Sequence, residues 1–173
     1  MAGENVEPAL LAEVATAAHP PRLVAVYRRA DLPEAAERAV TLALWRVADP
    51  GNVGTLVRTA DAFGAALALS GGCADPTSPK ALRASAGSIW RTPLLGFEQA
   101  HGERIALVAH GGTPVGELDL RRPVVFLLGA ERDGLPAEVA RDREATIETA
   151  GVESLNVAAA GAVALYEWRR QNA

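Results

Sequence analysis

Residues 40–70 read VTLALWRVADPGNVGTLVRTADAFGAALALS, and this stretch decides the fold. Val40–Val47, apolar except for Thr41 and Arg46, reads as a buried strand, and Asp49-Pro50-Gly51 follows it as a loop. Thr55–Phe63 then repeats apolar residues at helical spacing, Gly64 closes the helix, and Ala66–Ser70 begins a second apolar run. Strand, helix and strand in that order predict a parallel pair joined by a crossover helix.

The same alternation continues outward. The sequence predicts a helix over Pro79–Ala86, strands over Glu103–His110 and Pro123–Leu128, and a short helix over Pro136–Arg141. A strand over Ala145–Ile147 and a closing helix over Ser154–Gln171 follow. The fold class is therefore α/β, a mainly parallel sheet flanked by helices. Toward the N-terminus, Ala9–Ala18 reads as a helix and Arg22–Tyr27 as a strand, while charged Arg28–Ala39, containing Pro33, reads as a linker. The expected division is an arm over 1–38 and a main domain over 39–173.

Composition narrows the function classes. The 173 residues hold one cysteine, Cys73, which excludes an internal disulfide and a cysteine-based metal cluster. His19, His101 and His110 lack ligand spacing, so no metal site is expected. No apolar run approaches the roughly 20 residues that span a bilayer, and the N-terminus lacks the features of an export signal. The expectation is a cytoplasmic protein without a membrane partner. A net charge of −4 argues mildly against nucleic acid, although a basic face can coexist with an acidic total. Sixteen of the seventeen basic residues are arginine, the exception being Lys80. Trp45, Trp90 and Trp168 read as packing anchors, with Trp168 equally suited to a contact between subunits.

In sheets of this kind ligands sit beyond the carboxyl ends of the strands, so chemistry is sought in three loops. The first, Asp49-Pro50-Gly51-Asn52-Val53-Gly54, opens a helix that Asn52 is placed to cap and that carries Arg58 in its early turns. An ordinary capped helix in which Arg58 pairs with Asp61 explains it equally well. The second, Gly129-Ala130-Glu131-Arg132-Asp133-Gly134, lets backbone groups approach a ligand closely. A plain connecting turn accounts for its glycines but leaves Glu131 unexplained at the mouth of an apolar strand. The third runs from Ala145 through Ile147 into Ser154-Leu155-Asn156-Val157, where Ser154 is a natural cap for an Ala-rich helix. Core packing explains the small residues, whereas Asn156, a poor helix former in a first turn, points to a polar task.

Taken together, Asn52-x-Gly54-x-x-x-Arg58-Thr59-Ala60, Gly129-x-Glu131-x-x-Gly134 and Ser154-Leu155-Asn156-Val157 resemble the three motifs of the SpoU, or TrmH-like, RNA ribose methyltransferases of the SPOUT superfamily. The likeness covers Val40 to Arg170. It implies a C-terminal trefoil knot, a rare exception to the rule against threading. It also implies transfer of a methyl group from S-adenosylmethionine to a ribose 2′-hydroxyl of rRNA or tRNA, in a homodimer whose active site lies at the subunit seam. Carried onto this chain, the cofactor-binding positions are Gly129, Ile147, Leu155, Leu128 and Ala109, and the catalytic positions are Asn52, Arg58, Glu131, Ser154 and Asn156. Asp75–Gly87 is similar to the segment facing RNA, with Lys80, Arg83 and Ser85 as its contacts. Leu10–Arg29 resembles only the last helix and strand of a small substrate-binding domain. Glu148 and Thr149 depart from the pattern, which has proline and a bulky apolar residue after the isoleucine of the third motif.

A ribose hydroxyl is a weak nucleophile, so positioning must supply much of the rate. A guanidinium stays protonated in proteins, which makes Arg58 a clamp for phosphate rather than a base. Under this reading Glu131 orients the guanidinium, and Ser154 with Asn156 fix the ribose or the facing loop. The rival from a different class is a catalytically weak or inactive protein of the same fold that binds RNA or cofactor. A nicotinamide enzyme ranks behind both, since Gly51 and Gly54 lack the third glycine of a dinucleotide fingerprint.

Overall fold

Two predominantly apolar strands, β1 (Val40–Leu44) and β6 (Val124–Leu128), lie side by side and buried along their whole lengths. Strands covered on both faces need no polar alternate residues, which is why both read as apolar stretches, broken only by the buried Thr41 in β1. The structure is a computed structural model that describes residues 25–173 together with Glu7, Ala9 and Glu13. Of the expected helix over Ala9–Ala18 only Ala9 and Glu13 are described, both helical; its other residues and most of the strand over Arg22–Tyr27 lie outside the described residues. Ala25–Tyr27, which are described, form no strand. The chain divides into two compact units, Met1–Asp31 and Leu32–Ala173. In the first, Arg28 pairs with Asp31 at 2.9 Å around a short 3-10 turn. In the second, Leu32 packs against the main core.

The other strands of the second unit are β2 (Ala66–Leu69), β3 (Leu94–Gly96), β4 (Glu103–Leu107), β5 (Thr113–Pro114) and β7 (Arg143–Thr146). They form one sheet in the order β3-β2-β1-β6-β4-β7-β5, with every pairing parallel. The chain leaves β1 toward β2 and leaves β6 toward β7, in opposite directions. That reversal opens a crevice beyond the carboxyl ends of β1 and β6, the place where parallel sheets bind ligands.

Three helices complete the unit: α1 (Pro50–Phe63), α2 (Pro79–Ser85) and α3 (Val157–Gln171). α1 and α3 bury Leu56, Leu165 and Trp168 against Leu42, Leu44, Phe126 and Leu128 on one face of the sheet. Full burial of a side chain such as Leu56 contributes about 1.5–3 kcal/mol. Gly161 lets α3 approach that closely, since a Cβ there would lie 2.6 Å from Leu56 Cδ2. The opposite face is lined by smaller residues, Ala43, Ala68, Ala106 and Val125, with Leu127 and Phe97.

Several element boundaries differ from the sequence expectation. α1 starts a turn earlier than Thr55, because Asp49 caps it by accepting from the Asn52 amide at 3.2 Å and Pro50 supplies a preset first residue. Asn52 is therefore not the cap, and its side chain is released for other use. Likewise α3 is capped by Asn156, whose Oδ1 accepts from Ala158 N at 2.9 Å, and not by Ser154. Pro136–Arg141 is no helix. Its six residues close a turn instead, with Val139 N donating to Pro136 O at 3.2 Å and the Arg141 guanidinium bonding the Pro136 carbonyl. Strand β4 ends at Leu107 rather than His110, and β7 runs Arg143–Thr146 rather than Ala145–Ile147. β3 and β5, at the sheet's two edges, are three and two residues long and carry too little pattern to be read.

Candidate active site

The crevice gathers all three loops. Asn52, in the first turn of α1, donates from Nδ2 to Glu131 Oε1 at 3.1 Å. Asn156 donates from Nδ2 to Asn52 Oδ1 at 3.2 Å while its own Oδ1 caps α3. Asn156, Asn52 and Glu131 thus form a chain of hydrogen bonds that ends on a carboxylate. Each amide uses both ends, which fixes the rotamers and the spacing of the loops.

Beside this chain lies a cavity of about 430 Å³. The loop after β6 forms one wall through Leu128, Gly129 and Glu131. The loop before α3 forms another through Ile147, Ser154, Leu155 and Asn156, and the end of β4 leads to Ala109. The five residues expected to hold cofactor and three of the five expected to be catalytic therefore border one space, with Asn52 on its rim bonded to Glu131. The Gly129 backbone passes so near Gly134 that a Cβ would collide with it. The loop closes on itself at that point, Ala130 N donating to Gly134 O at 3.1 Å and Gly134 N donating to Ala130 O at 2.9 Å. In the third loop Thr149 Oγ1 donates to Val152 O at 2.7 Å. That bond closes the turn at the position where the family pattern has a bulky apolar residue.

Other residues named from the sequence fall elsewhere. Arg58 is exposed on α1, does not line the cavity, and makes no ion pair among the described residues. Asp61, the partner expected if Arg58 were structural, is held by Arg91 at 2.6 Å, and that guanidinium keeps its carboxyl below the usual range. Within one chain Glu131 is engaged by Asn52, not by Arg58. Lys80 sits in the first turn of α2 and pairs with Asp49 at 2.5 Å, drawing the Asp49 carboxyl downward. α2 is thereby tied to the cap of α1. Gly54 serves the same junction, since a Cβ on it would strike the Ala81 carbonyl.

Arg83 is exposed on α2. Ser85 is fully buried, its hydroxyl donating to Leu82 O at 2.9 Å, so the expected contact of Ser85 with RNA is corrected. Trp168 is buried within its own chain and Trp45 packs edge-on against Phe97 with ring centres 5.2 Å apart, whereas Trp90 is 43% exposed. Cys73 is half-buried and donates to Leu44 O at 3.3 Å. Among the described residues no cluster of His, Cys, Asp and Glu could hold a metal ion, and no helix is long and apolar enough to cross a membrane.

Sequence reasoning missed Leu107, Val108 and Glu153 as walls of the cavity. Leu107 and Val108 stand at the carboxyl end of β4, a position that the rule for parallel sheets marks out.

Residues 39–166 match the SpoU rRNA Methylase family. An uncharacterized tRNA/rRNA methyltransferase of Synechocystis is 38% identical over 94% of this chain and 65% of its own length. A 23S rRNA (uridine(2479)-2′-O)-methyltransferase of Streptomyces viridochromogenes is 35% identical over 73% of this chain and 50% of its own. The chain thus spans about two thirds of the first of these relatives and half of the second. Among solved structures, an RNA methyltransferase of the TrmH family from Porphyromonas gingivalis superposes with a TM-score of 0.82 at 35% identity, over 93% of this chain and 71% of that one. An rRNA methyltransferase of Sinorhizobium meliloti, crystallised with AdoMet, gives 0.72 at 37% identity over 80% of this chain and 58% of that one. A match of this extent establishes kinship: the chain belongs to the SpoU rRNA methylase family.

Proposed function

We propose that this chain transfers a methyl group from S-adenosylmethionine to a ribose 2′-hydroxyl of rRNA or tRNA. The observation that carries the reading is the Asn156–Asn52–Glu131 chain of hydrogen bonds, formed by loops remote in sequence at the edge of one ligand-sized cavity. A cavity of about 430 Å³ is within the range of small-molecule sites. Its walls suit a nucleoside cofactor. Leu107, Leu128, Leu155 and Val157 offer apolar surface, and glycine at 129 leaves backbone groups open to a ligand.

Leu128, Gly129, Ile147, Leu155 and Ala109 would hold the cofactor, which when bound supplies an electrophilic methyl on a sulfonium. Glu131 and Asn52 present a fixed acceptor and amide at the cavity mouth, positioned to orient the ribose. Ser154, exposed at the same mouth, offers a hydroxyl to the nucleotide. Arg58 clamps the RNA phosphate. Because it lies off the cavity of its own chain, it serves the site of a second copy in a homodimer. Val163 and Tyr166, 38% and 62% exposed on α3, supply apolar surface for that pairing.

The C-terminal segment is read as threaded into a trefoil knot, a reading supported by the likeness to SpoU structures and by the return of α3 from the sheet's far side to β1 and β6. Lys80 and Arg83 extend the RNA surface along α2. Residues 1–38 are read as an arm ahead of the catalytic domain.

Calorimetry with S-adenosylmethionine, followed by methyl incorporation into RNA from cells lacking the gene, tests the proposal. Ribose methylation at a defined nucleotide is the expected result. Cofactor binding without transfer to any RNA would leave the non-catalytic alternative standing instead.

A further inference from the structure

On the other side of Glu131 from the cofactor cavity the crevice widens into a second chamber of about 600 Å³. It shares Ala130, Glu131, Arg132 and Gly134 with the first, and its remaining walls include Trp45, Arg46 and Asn52. A methyl transferred at the shared edge would leave the acceptor's ribose beside Glu131 and its base in this second space.

Two features mark Trp45 and Arg46 as more than a strand end. Arg46 has φ of +52°, a left-handed conformation uncommon for a residue other than glycine. Here its amide donates to Ser70 Oγ at 2.9 Å, and its side chain lies along Gly72, where a Cβ would come within 3.4 Å of Nε. Despite that tether no carboxylate pairs with it among the described residues. Asp49, an acid of the same chamber, is taken by Lys80. Trp45 borders the same chamber, held by its edge-on contact with Phe97. A fixed indole next to an unpaired guanidinium is the combination that receives an unstacked base, by stacking and by donation to its polar edge.

We propose that this chamber takes the base of the nucleotide being methylated, turned out of its stack, and that Trp45 and Arg46 set which base is accepted. The inference rests on the methyltransferase reading and adds a base-reading site to it.

The test uses the full chain and the RNA whose methylated nucleotide has been mapped. Arg46→Gly removes the guanidinium and relaxes the backbone, so its melting temperature should equal or exceed that of the unchanged chain. Its S-adenosylmethionine affinity should be unchanged, while single-turnover methylation falls at least tenfold. Arg46→Lys, which keeps the charge, should recover part of the rate. The decisive comparison replaces the target nucleotide with each other base and with an abasic ribose. The unchanged chain should discriminate among bases, Arg46→Gly and Trp45→Phe should discriminate less, and on the abasic RNA the chains should converge. Equal rates and equal base preference in the Arg46 variants overturn the chamber's role alone. Absence of transfer by the unchanged chain overturns the enzymatic reading and this inference with it.

Discussion

The amide of Asn52 and the carboxylate of Glu131 stand 3.1 Å apart although 79 residues separate them along the chain. Two loops that leave neighbouring strands in opposite directions are thereby latched across the crevice. Replacing Asn52 with Asp sets two carboxylates against each other and breaks the latch. Single-turnover methylation is expected to fall by roughly a hundredfold, the size of effect seen when one positioned polar group is removed. S-adenosylmethionine affinity, measured by calorimetry, should change far less. Equal losses in binding and transfer would show that the latch only shapes the cavity.

Arg58 is the exposed cation of the first motif. Arg58→Lys keeps its charge and loses the planar fork that grips phosphate, so turnover should drop by about tenfold, corresponding to about 1.4 kcal/mol. Cofactor binding should not move. If Arg58 works in the site of a second copy, mixing Arg58→Ala with Glu131→Ala chains should restore activity through hybrid dimers, and the absence of any restoration would refute that arrangement.

Gly54 sits where α1 presses on α2, and Gly129 sits where the second loop doubles back on Gly134. Gly54→Ala should lower unfolding free energy by about 1–3 kcal/mol, the usual effect of forcing extra volume into a packed contact. Gly129→Ala should do the same and also abolish cofactor binding, because the obstructed backbone lines the cavity. Urea unfolding and calorimetry separate the two outcomes.

The Arg91–Asp61 pair makes the fold sensitive to acid. The guanidinium lowers the Asp61 carboxyl, so the pair's contribution is complete above the ordinary aspartate range and is lost as pH falls through the depressed value. Asp61→Asn should therefore cost about 1 kcal/mol or less near pH 7, given the exposure of Arg91, and should flatten the loss of stability in acid. Thermal unfolding of both chains from pH 7 down into that range measures the difference.

The central strands were legible because short, largely apolar stretches such as Val40–Leu44 and Val124–Leu128, bounded by loop residues, admit few other readings. That the three loops meet at one crevice was legible from their position after strands and from their motifs. What local pattern could not supply was competition between neighbours for the same task. Asp49 and Asn52 are both good helix caps, as are Ser154 and Asn156, and only the tertiary contacts decide that Asp49 and Asn156 do the capping. Asn52 is thereby freed to reach Glu131. Ser85 looked like an exposed serine on a basic segment, but helical phase turns it inward to the Leu82 carbonyl. Arg58 was placed near the cleft by spacing along one chain, whereas six residues of helix carry it about 9 Å along the axis from Asn52 and onto another face.

The placement of β6 between β1 and β4 also orders the events of folding. As the chain leaves the ribosome, β2 is available to β1 soon after β1 itself, but the strand that covers β1's other flank is synthesised about 80 residues later. That flank of β1 thus waits longer along the sequence for its neighbour than any other strand flank in the sheet. Contacts of such long sequence separation slow folding and expose the nascent chain to sticking, which makes chaperone attendance most valuable in that interval.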